Sequence, residues 1–486
     1  MNIFDLWDHP DVSQYFEGES WEAWRSFVAA LFGLPMDDGQ LALFREHTGR
    51  QSAPTDAFRE AALVIGRRGG KSRVLALIAT YLAVGFDYTA KLPPGSKAMI
   101  AIMARDKSQA GIIFDYISGL MDAVPALAME IEARTADTLT LRNGVRIAVF
   151  AASFRGTRGY SLVAALCDEI AFWLIEGSAN PDEEVLRALR PGLGNLRGLL
   201  LIASSPYAKR GVLYTSWREH YGRDDARVLV WQASTLAMNP AYDPEEVKRA
   251  YEADPFSAAA EYDAQFRSDI AGFVTREIVD ACTVPGRYEL PKIPGCRYVA
   301  FTDPSGGSAD SFTLAIAHPD PKDRTVGILD AVRDMKPPFS PEGVVVEFAA
   351  LLKTYGIANV TGDRYAGEWP REQFRKLGIA YNLSEKPKSD LYRDTLPLLN
   401  SGKLELLDLK TLTTQLVGLE RRTARGGRDS IDHGPGGRDD VVNAAMGALL
   451  LATTGRAPMR ISAAAIENMG MSSSLYEMQR RFGRGS

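Results

Sequence analysis

Lys71 and Ser72 follow Gly69-Gly70 and open a helical pattern that runs through Val84, and the apolar run Ala61–Ile65 leads into the same turn. A lysine and a hydroxyl at the start of a helix, just after a glycine-rich turn, suit a phosphate chain. The backbone N–H groups and the helix N-terminus cradle the anion, the lysine reaches the β- and γ-phosphates, and the hydroxyl holds Mg²⁺. Gly66, Arg67, Arg68, Gly69, Gly70, Lys71 and Ser72 are the residues expected to line such a site. The spacing departs from GxxxxGK[ST], whose first glycine would fall at Ile65, with Gly66 one residue late. A strand before the turn and a helix after it favour nucleotide binding over a solvated basic loop, and Arg67 and Arg68 fit either.

A second set of reactive residues lies downstream. The continuous apolar run Leu162–Cys167 has the character of a strand covered on both faces, and it ends in Asp168-Glu169. At such a strand tip one carboxylate holds Mg²⁺, directly or through water, and its neighbour polarises the attacking water. Asp168 takes the first role and Glu169, as general base, the second. Alone the pair would pass for surface acids; its position after the phosphate turn makes it specific. Arg155 and Arg158 precede this strand in a Gly-punctuated loop, as an arginine finger offered to a neighbouring subunit or as solvated charges. Leu199–Ala203 is a third apolar strand, ending in Ser204-Ser205-Pro206. Polar residues there sense the γ-phosphate and pass its loss to a moving part, or cap the next helix, and the two roles can coexist.

Carboxylates recur in the second half. RYVAFTD is a strand ending at Asp303; SFTLAIAH and TVGILDAV are two more; PEGVVVEFAALLKTYG is an amphipathic helix; ANVTGD is a fourth strand ending at Asp363. Three strands in tight succession, a helix, a fourth strand, then further helix–strand alternation is the ribonuclease H order. In that order the tips of strands 1 and 4 are neighbours, and the final helix, opening at Asp439-Asp440, crosses them. Asp303, Asp363 and one or both of Asp439 and Asp440 would then converge, and carboxylates so crowded need cations to stay ionised. Two Mg²⁺ or Mn²⁺ ions about 3.5–4 Å apart would resolve the repulsion and cut a phosphodiester. Spacing does not choose between Asp439 and Asp440. Asp310 and His433 read more readily as turn residues than as ligands. Arg421, Arg422, Arg425, Arg428 and Arg438 surround a Gly-rich loop beside the proposed ions, and Lys386 and Lys388 follow another strand; they are candidate DNA phosphate contacts or a solvated basic loop.

The chain of 486 residues exceeds one core and suggests two or three domains at roughly 100–200 residues each. The expected division is a phosphate-binding domain over 1–235 that includes an N-terminal helical segment, a linker of short helices over 236–295, a nuclease-like domain over 296–455, and a tail from 456 to 486. Gln51 and Arg50, before the first strand, stand where a nucleotide base is touched, or are simply loop. The helical pattern after Asp106 puts Ile112, Ile113, Tyr116, Ile117 and Leu120 on one face, and Asn143-Gly144 marks a hairpin within a parallel scheme. Net charge is −5, against bulk coating of nucleic acid. Cys167, Cys282 and Cys296 are too widely spaced for a zinc site or a disulfide framework. No apolar run of membrane-spanning length and no signal peptide are evident, so a cytoplasmic protein is expected.

VIGRRGGKS, LCDE and ASSP in this order, joined to Asp303, Asp363 and RDD, resemble the large terminase subunit of tailed bacteriophages over nearly the whole chain from the first motif to the last helix. The resemblance implies an α/β architecture: a P-loop ATPase domain of the ASCE type followed by a ribonuclease H-like nuclease domain. It implies that Arg67, Lys71 and Ser72 contact phosphate and Mg²⁺, that Asp168 serves Mg²⁺ and Glu169 the water, and that Ser204-Ser205 couple hydrolysis to movement. ATP with Mg²⁺, and two Mg²⁺ or Mn²⁺ ions in the nuclease, are the implied cofactors. Double-stranded DNA, a portal protein, a small terminase subunit and a homo-oligomeric ring, usually of five, are the implied partners, with no membrane. The implied place is the host cytoplasm and transiently the procapsid, not the mature virion. An ATP-dependent helicase-nuclease would need a second ATPase lobe, for which 236–296 leave no room; a DNA-binding scaffold would not need both acidic sets.

Overall fold

The computed structural model describes residues 2–152, 159–173, 181–307, 310–363, 369–423 and 429–454. Arg155, Arg158, Arg425, Arg428 and the tail from 456 lie outside the described residues. The chain divides into two compact units, Met1–Ala281 with Asp408–Val442, and Cys282–Leu407 with the chain from Asn443 on.

The first unit is built on an eight-stranded sheet of β1 (Glu60–Ile65), β2 (Ala98–Ala104), β3 (Ile131–Arg134), β4 (Thr138–Leu141), β5 (Arg146–Ala151), β6 (Ser161–Asp168), β7 (Leu199–Ser204) and β8 (Val228–Ala233). Their spatial order is β3-β4-β5-β2-β6-β7-β1-β8, and β5-β2-β6-β7-β1-β8 are parallel. The central strands are apolar throughout because helices cover both faces of such a sheet. β1 runs into the phosphate turn and β6 ends at Asp168, yet β7 lies between them. This inserted strand is what makes the sheet the ASCE form of the P-loop fold. As expected, the Asn143-Gly144 turn joins antiparallel β4 and β5.

The helix Lys107–Ala123 corrects one expectation. Ile113, Ile117 and Leu120 are buried with Ala110, Phe114 and Met121, but Ile112 and Tyr116 are 50% and 43% exposed. At about 100° per residue they fall on the far side of the helix from the buried stripe. A further short strand, β9 (Ile270–Gly272), follows the helices Thr235–Met238, Pro244–Ala253 and Pro255–Glu261; the first and last of these and the N-terminal helix Glu22–Phe32 supply residues that touch the phosphate turn.

The second unit holds a six-stranded sheet of β10 (Val299–Asp303), β11 (Phe312–Pro319), β12 (Gly327–Met335), β13 (Asn359–Gly362), β14 (Ala380–Leu383) and β15 (Leu404–Glu405), in the order β14-β13-β10-β11-β12-β15. β10, β11 and β12 are antiparallel neighbours, while β13 and β14 run parallel to β10. That is the ribonuclease H topology, with β15 added beside β12. The helix Pro341–Tyr355 buries Val344, Val345, Phe348, Ala349 and Leu352 on it, entered through Ser340 as N-cap and Pro341.

The final helix, Asp440–Thr454, lies so close to β10 that a Cβ on Gly447 would stand 2.4 Å from Cγ of the Phe301 ring. Gly447→Ala is therefore expected to destabilise the protein by about 1–3 kcal/mol through overpacking, read as a lower thermal transition. An unchanged transition would mean that the helix does not press on β10.

The segment after Leu419, expected as a flexible basic loop, contains two strands, β16 (Leu419–Thr423) and β17 (Asp429–His433). They form an antiparallel pair, β9 adds to β16, and this three-stranded sheet belongs to the first unit. Leu419, Glu420 and Ile431 are buried while Arg421 is exposed, so the pair shows no simple apolar alternation, and its arginines and glycines masked it in the sequence.

Candidate nucleotide and metal sites

The phosphate turn is clamped from below. Gly66 N–H donates to the Ala233 carbonyl at 3.1 Å, Arg67 N–H to that of Glu261 at 2.5 Å, and Thr235 Oγ1 to that of Arg67 at 2.8 Å. A side chain on Gly66 would meet Thr235 Oγ1 at 2.4 Å, so only glycine admits this approach. Asn239 Nδ2 holds the Arg68 carbonyl at 3.1 Å, and Trp24 Nε1 that of Gly69 at 2.8 Å. The stretch after 235 is thus more than a connector: it buttresses the turn. Gly70 takes φ +91°, a left-handed conformation that costs glycine little, and passes the chain into the helix Lys71–Val84.

Lys71 is buried, and its ammonium group donates to the Ile65 carbonyl at 3.1 Å and Ser205 Oγ at 3.3 Å, with Glu169 Oε1 at 3.4 Å. Glu169 itself stands at φ +48°, an uncommon conformation for a non-glycine residue and one found at working sites. Its Oε2 accepts from Ser204 Oγ at 2.8 Å and from Ser205 N–H at 3.3 Å. Tips of β1, β6 and β7 are thereby brought to one point at the carboxyl edge of the sheet, where ligands of open α/β sheets bind.

Ser204 and Ser205 do not cap the following helix, Gly211–His220, which has Arg210 at its N-cap position. The Asp182 carboxylate instead accepts from Val212 N–H at 2.6 Å. Asp168 is buried, and burial first, then the Glu169 charge, pushes its carboxyl up to about 7, against the pull of Lys71. Its buried Oδ1 has no hydrogen-bond partner. A hard cation matches that oxygen, so the residues present fit Mg²⁺. Ser72, next to Lys71, is half-buried.

Other expected contacts have protein partners. The Arg67 guanidinium is exposed and paired with Glu261 at 2.9 Å, and Arg68 is exposed at φ +66°. Arg50 is buried, bound to the Ala226 and Val228 carbonyls and lying over Phe58, and Gln51 binds Asp224 through its backbone, as the loop alternative expects of both.

In the second unit, β10 and β13 pair with Thr302 opposite Gly362. The next residue on each strand is Asp303 and Asp363, so two carboxylates sit at adjoining parallel tips, about 5 Å apart by strand spacing. One side chain serves both: Asn443 Nδ2 donates to Asp303 Oδ2 at 2.9 Å and to Asp363 Oδ2 at 3.4 Å. Asn443 Oδ1 is buried without a partner. The Asn443 amide nitrogen thus stands between two carboxylates whose oxygens suit a hard cation such as Mg²⁺ or Mn²⁺. The nearby Tyr381 phenol is pushed up by burial first, then by the charges of Asp303 and Asp363.

Asn443 escaped sequence reading. Its signal was its spacing, one helical turn beyond Asp440, but an asparagine within the apolar run VVNAAM carries no charge to draw notice. Asn443→Ala is expected to weaken Mn²⁺ binding by about 10–100-fold, as loss of a ligand-orienting group does. Calorimetric titration checks this, and unaltered affinity would remove Asn443 from the site.

Asp440 opens the helix that carries Asn443, while Asp439 precedes it and is buried. Asp432, His433 and Asp439 offer ligand atoms within 4.8 Å of one another. Among the basic candidates, Arg421 pairs with Asp429, Arg422 donates to Glu420, Tyr207 and the His433 carbonyl, and Lys386 pairs with Asp394 at 2.6 Å. Asp310 follows the undescribed residues 308–309, and its carbonyl accepts from Ser305 Oγ. The three cysteines are free thiols. No helix among the described residues is long and apolar enough to cross a membrane.

The fold and these two sites define a P-loop ATPase-like unit of the ASCE type followed by a ribonuclease H-like unit. No protein-family model matches the sequence, and no curated protein matches it. Among solved structures, the chain is similar to the HK97 bacteriophage large terminase, at 18% identity and TM-score 0.37 over 89% of this chain and 100% of that one. It is similar to the large terminase of a thermophilic bacteriophage at 12% identity and TM-score 0.38, covering 82% of this chain and 95% of that one. It is similar too to the large terminase nuclease of thermophilic phage G20c with bound magnesium, at 20% identity and TM-score 0.30 over 36% of this chain and 94% of that one. At these values the likeness assigns no residue a role.

Proposed function

We propose that this chain is the large subunit of a phage terminase, coupling ATP hydrolysis to movement of double-stranded DNA into a procapsid and cutting concatemeric DNA with a two-metal nuclease. The observation that carries the reading is the pairing, in one chain, of the Lys71–Glu169–Ser204 constellation with the Asp303–Asp363 pair bridged by Asn443. In the first site Gly66 to Ser72 bind the phosphates, and Lys71 exchanges its carboxylate partner for the β/γ-phosphates. Asp168 and Ser72 hold Mg²⁺, which supplies charge neutralisation at the phosphates when bound. Glu169 takes the proton of the attacking water, and Ser204-Ser205 register the change at its carboxylate.

In the second site Asp303 and Asp363 would hold Mg²⁺ or Mn²⁺, two ions in this proposal, which would supply Lewis acidity and an activated water when bound. Arg421, Arg422, Arg425, Arg428, Lys386 and Lys388 are proposed to face DNA phosphates, and Arg155 or Arg158 to reach a neighbouring subunit's nucleotide. A ring of subunits on the portal, with a small subunit, in the host cytoplasm, completes the proposal. A helicase-nuclease is disfavoured because the described residues hold one P-loop sheet. The test is one preparation assayed for ATP turnover with procapsids and DNA, for DNase-protected filling of those procapsids, and for divalent-dependent plasmid cleavage. Cleavage and turnover without filling would reject the packaging role.

A further inference from the structure

Glu420 on β16 is fully buried although it carries a carboxylate. Its Oε2 accepts from Tyr207 Oη at 2.6 Å and from Arg422 at 3.4 Å, and its Oε1 accepts from Arg210 at 2.5 Å. Tyr207 and Arg210 belong to the loop that leaves β7 directly after Ser204 and Ser205. Burial first, and then the bond to Glu420, push the Tyr207 phenol up, so the hydroxyl remains a donor.

Tyr207 is also fixed on its other sides. Its carbonyl accepts from Arg267 N–H at 2.8 Å, and the Arg267 guanidinium stands 5.9 Å from its ring centroid. Arg267 is paired with Asp269 at 2.7 Å, immediately before β9, the strand that pairs with β16. On the nucleotide side the Tyr207 ring meets Phe172 with centroids 5.5 Å apart, and Phe172 ends the short helical turn that starts right after Glu169. The turn 170–172 that follows Glu169, and the segment after the Ser204-Ser205 tip that bonds its carboxylate, therefore meet at one ring, and that ring's hydroxyl is bonded to the hairpin.

A buried carboxylate resists losing a donor, because the stranded charge has no water to turn to. The β7 loop and β16 are thereby bound to move together. When Lys71 leaves Glu169 for a triphosphate, Glu169 loses its cation, and its bonds to Ser204 and Ser205 must readjust; this is the differential interaction that a population shift requires.

We infer that Tyr207 and Glu420 form a relay through which the nucleotide state of the Lys71–Glu169 site sets the position of the β16–β17 hairpin and its arginines. The inference rests on the proposed nucleotide site. Tyr207 and Glu420 act as positioning residues and take no part in the chemistry.

The test is amide hydrogen exchange of the full chain, following residues 419–423 and 429–433, with and without Mg²⁺ and a non-hydrolysable ATP analogue. In the parent the analogue is expected to change exchange in the hairpin by about fivefold or more, a shift of the size local opening equilibria allow. Tyr207→Phe keeps the ring and removes the donor. It is expected to bind a fluorescent ATP analogue within about threefold of the parent while the hairpin change disappears. Arg210→Met, which cuts the second tie, is expected to reduce the change in part. Retained analogue binding reports that each variant is folded. A Tyr207→Phe chain with the parent's full exchange change would overturn the relay, as would a parent that binds the analogue with its hairpin unaltered. Failure of the parent to bind the analogue is a different result, and it overturns the nucleotide site together with the relay.

Discussion

Glu169→Gln is expected to lower ATP turnover by about 10²–10⁴-fold, the span that a positioned general base supplies, while ATP binding stays within a few-fold of the parent. The substitution keeps the side-chain length and still offers Ser204 Oγ and Ser205 N–H an oxygen to bond, so the tip of β7 retains its place. What disappears is the basicity of the carboxylate that accepts a proton from water, together with the negative charge paired with Lys71 at 3.4 Å. Glu169→Ala would lose the bonds as well as the base and mixes two effects. Phosphate release in a single turnover, with assembled partners where assembly is required, separates chemistry from binding. Turnover by Glu169→Gln within a few-fold of the parent would take the general base away from this residue and leave Asp168 as the alternative.

Asp363→Asn is expected to abolish divalent-dependent DNA cleavage and, in chelator, to raise the thermal transition of the protein by a few degrees. The two effects share one cause. Asp303 and Asp363 follow paired residues of adjoining parallel strands, whose backbones run about 5 Å apart, and two carboxylates so placed repel each other. The single Asn443 amide donates to both and offsets part of that repulsion. An asparagine removes the repulsion and with it the attraction for cations, so stability rises as function is lost, a trade common at active sites. Added Mn²⁺ should raise the transition of the parent and leave Asp363→Asn unmoved, because a ligand stabilises only the state that binds it. Scanning calorimetry in chelator and in Mn²⁺, beside a plasmid-nicking assay, reads both effects. A parent indifferent to Mn²⁺, or a variant that still nicks, would remove the metal role from Asp363.

Much of this architecture is written locally. The run into Ile65 followed by glycines and Lys71 specifies a strand, a turn and a helix start through backbone conformations that only neighbouring residues set. The apolar run before Asp168, like the short successive strands from Val299 onward, declares itself by period and length alone. The order of these pieces suffices to name both sheet topologies, because few connections between such elements satisfy handedness and pairing.

What the tertiary structure decided depends on residues far apart in sequence. The sequence marked Glu169 and Ser204 separately, but their hydrogen bond exists because β6 and β7 are adjacent strands. Thr235 and Glu261 gained their roles under the phosphate turn from the fold of a stretch that sequence showed as short helices without chemistry. Asn443 became the bridge between Asp303 and Asp363 because Gly447 lets its helix approach Phe301, a fact of packing that no local pattern encodes. Glu420 reads in sequence as one more charge in a basic stretch; burial beside Tyr207 and Arg210 turned it into an anchor. Local sequence sets dihedral angles and which face is apolar, whereas the company a polar side chain keeps is set by long-range packing, where desolvation makes each partner matter.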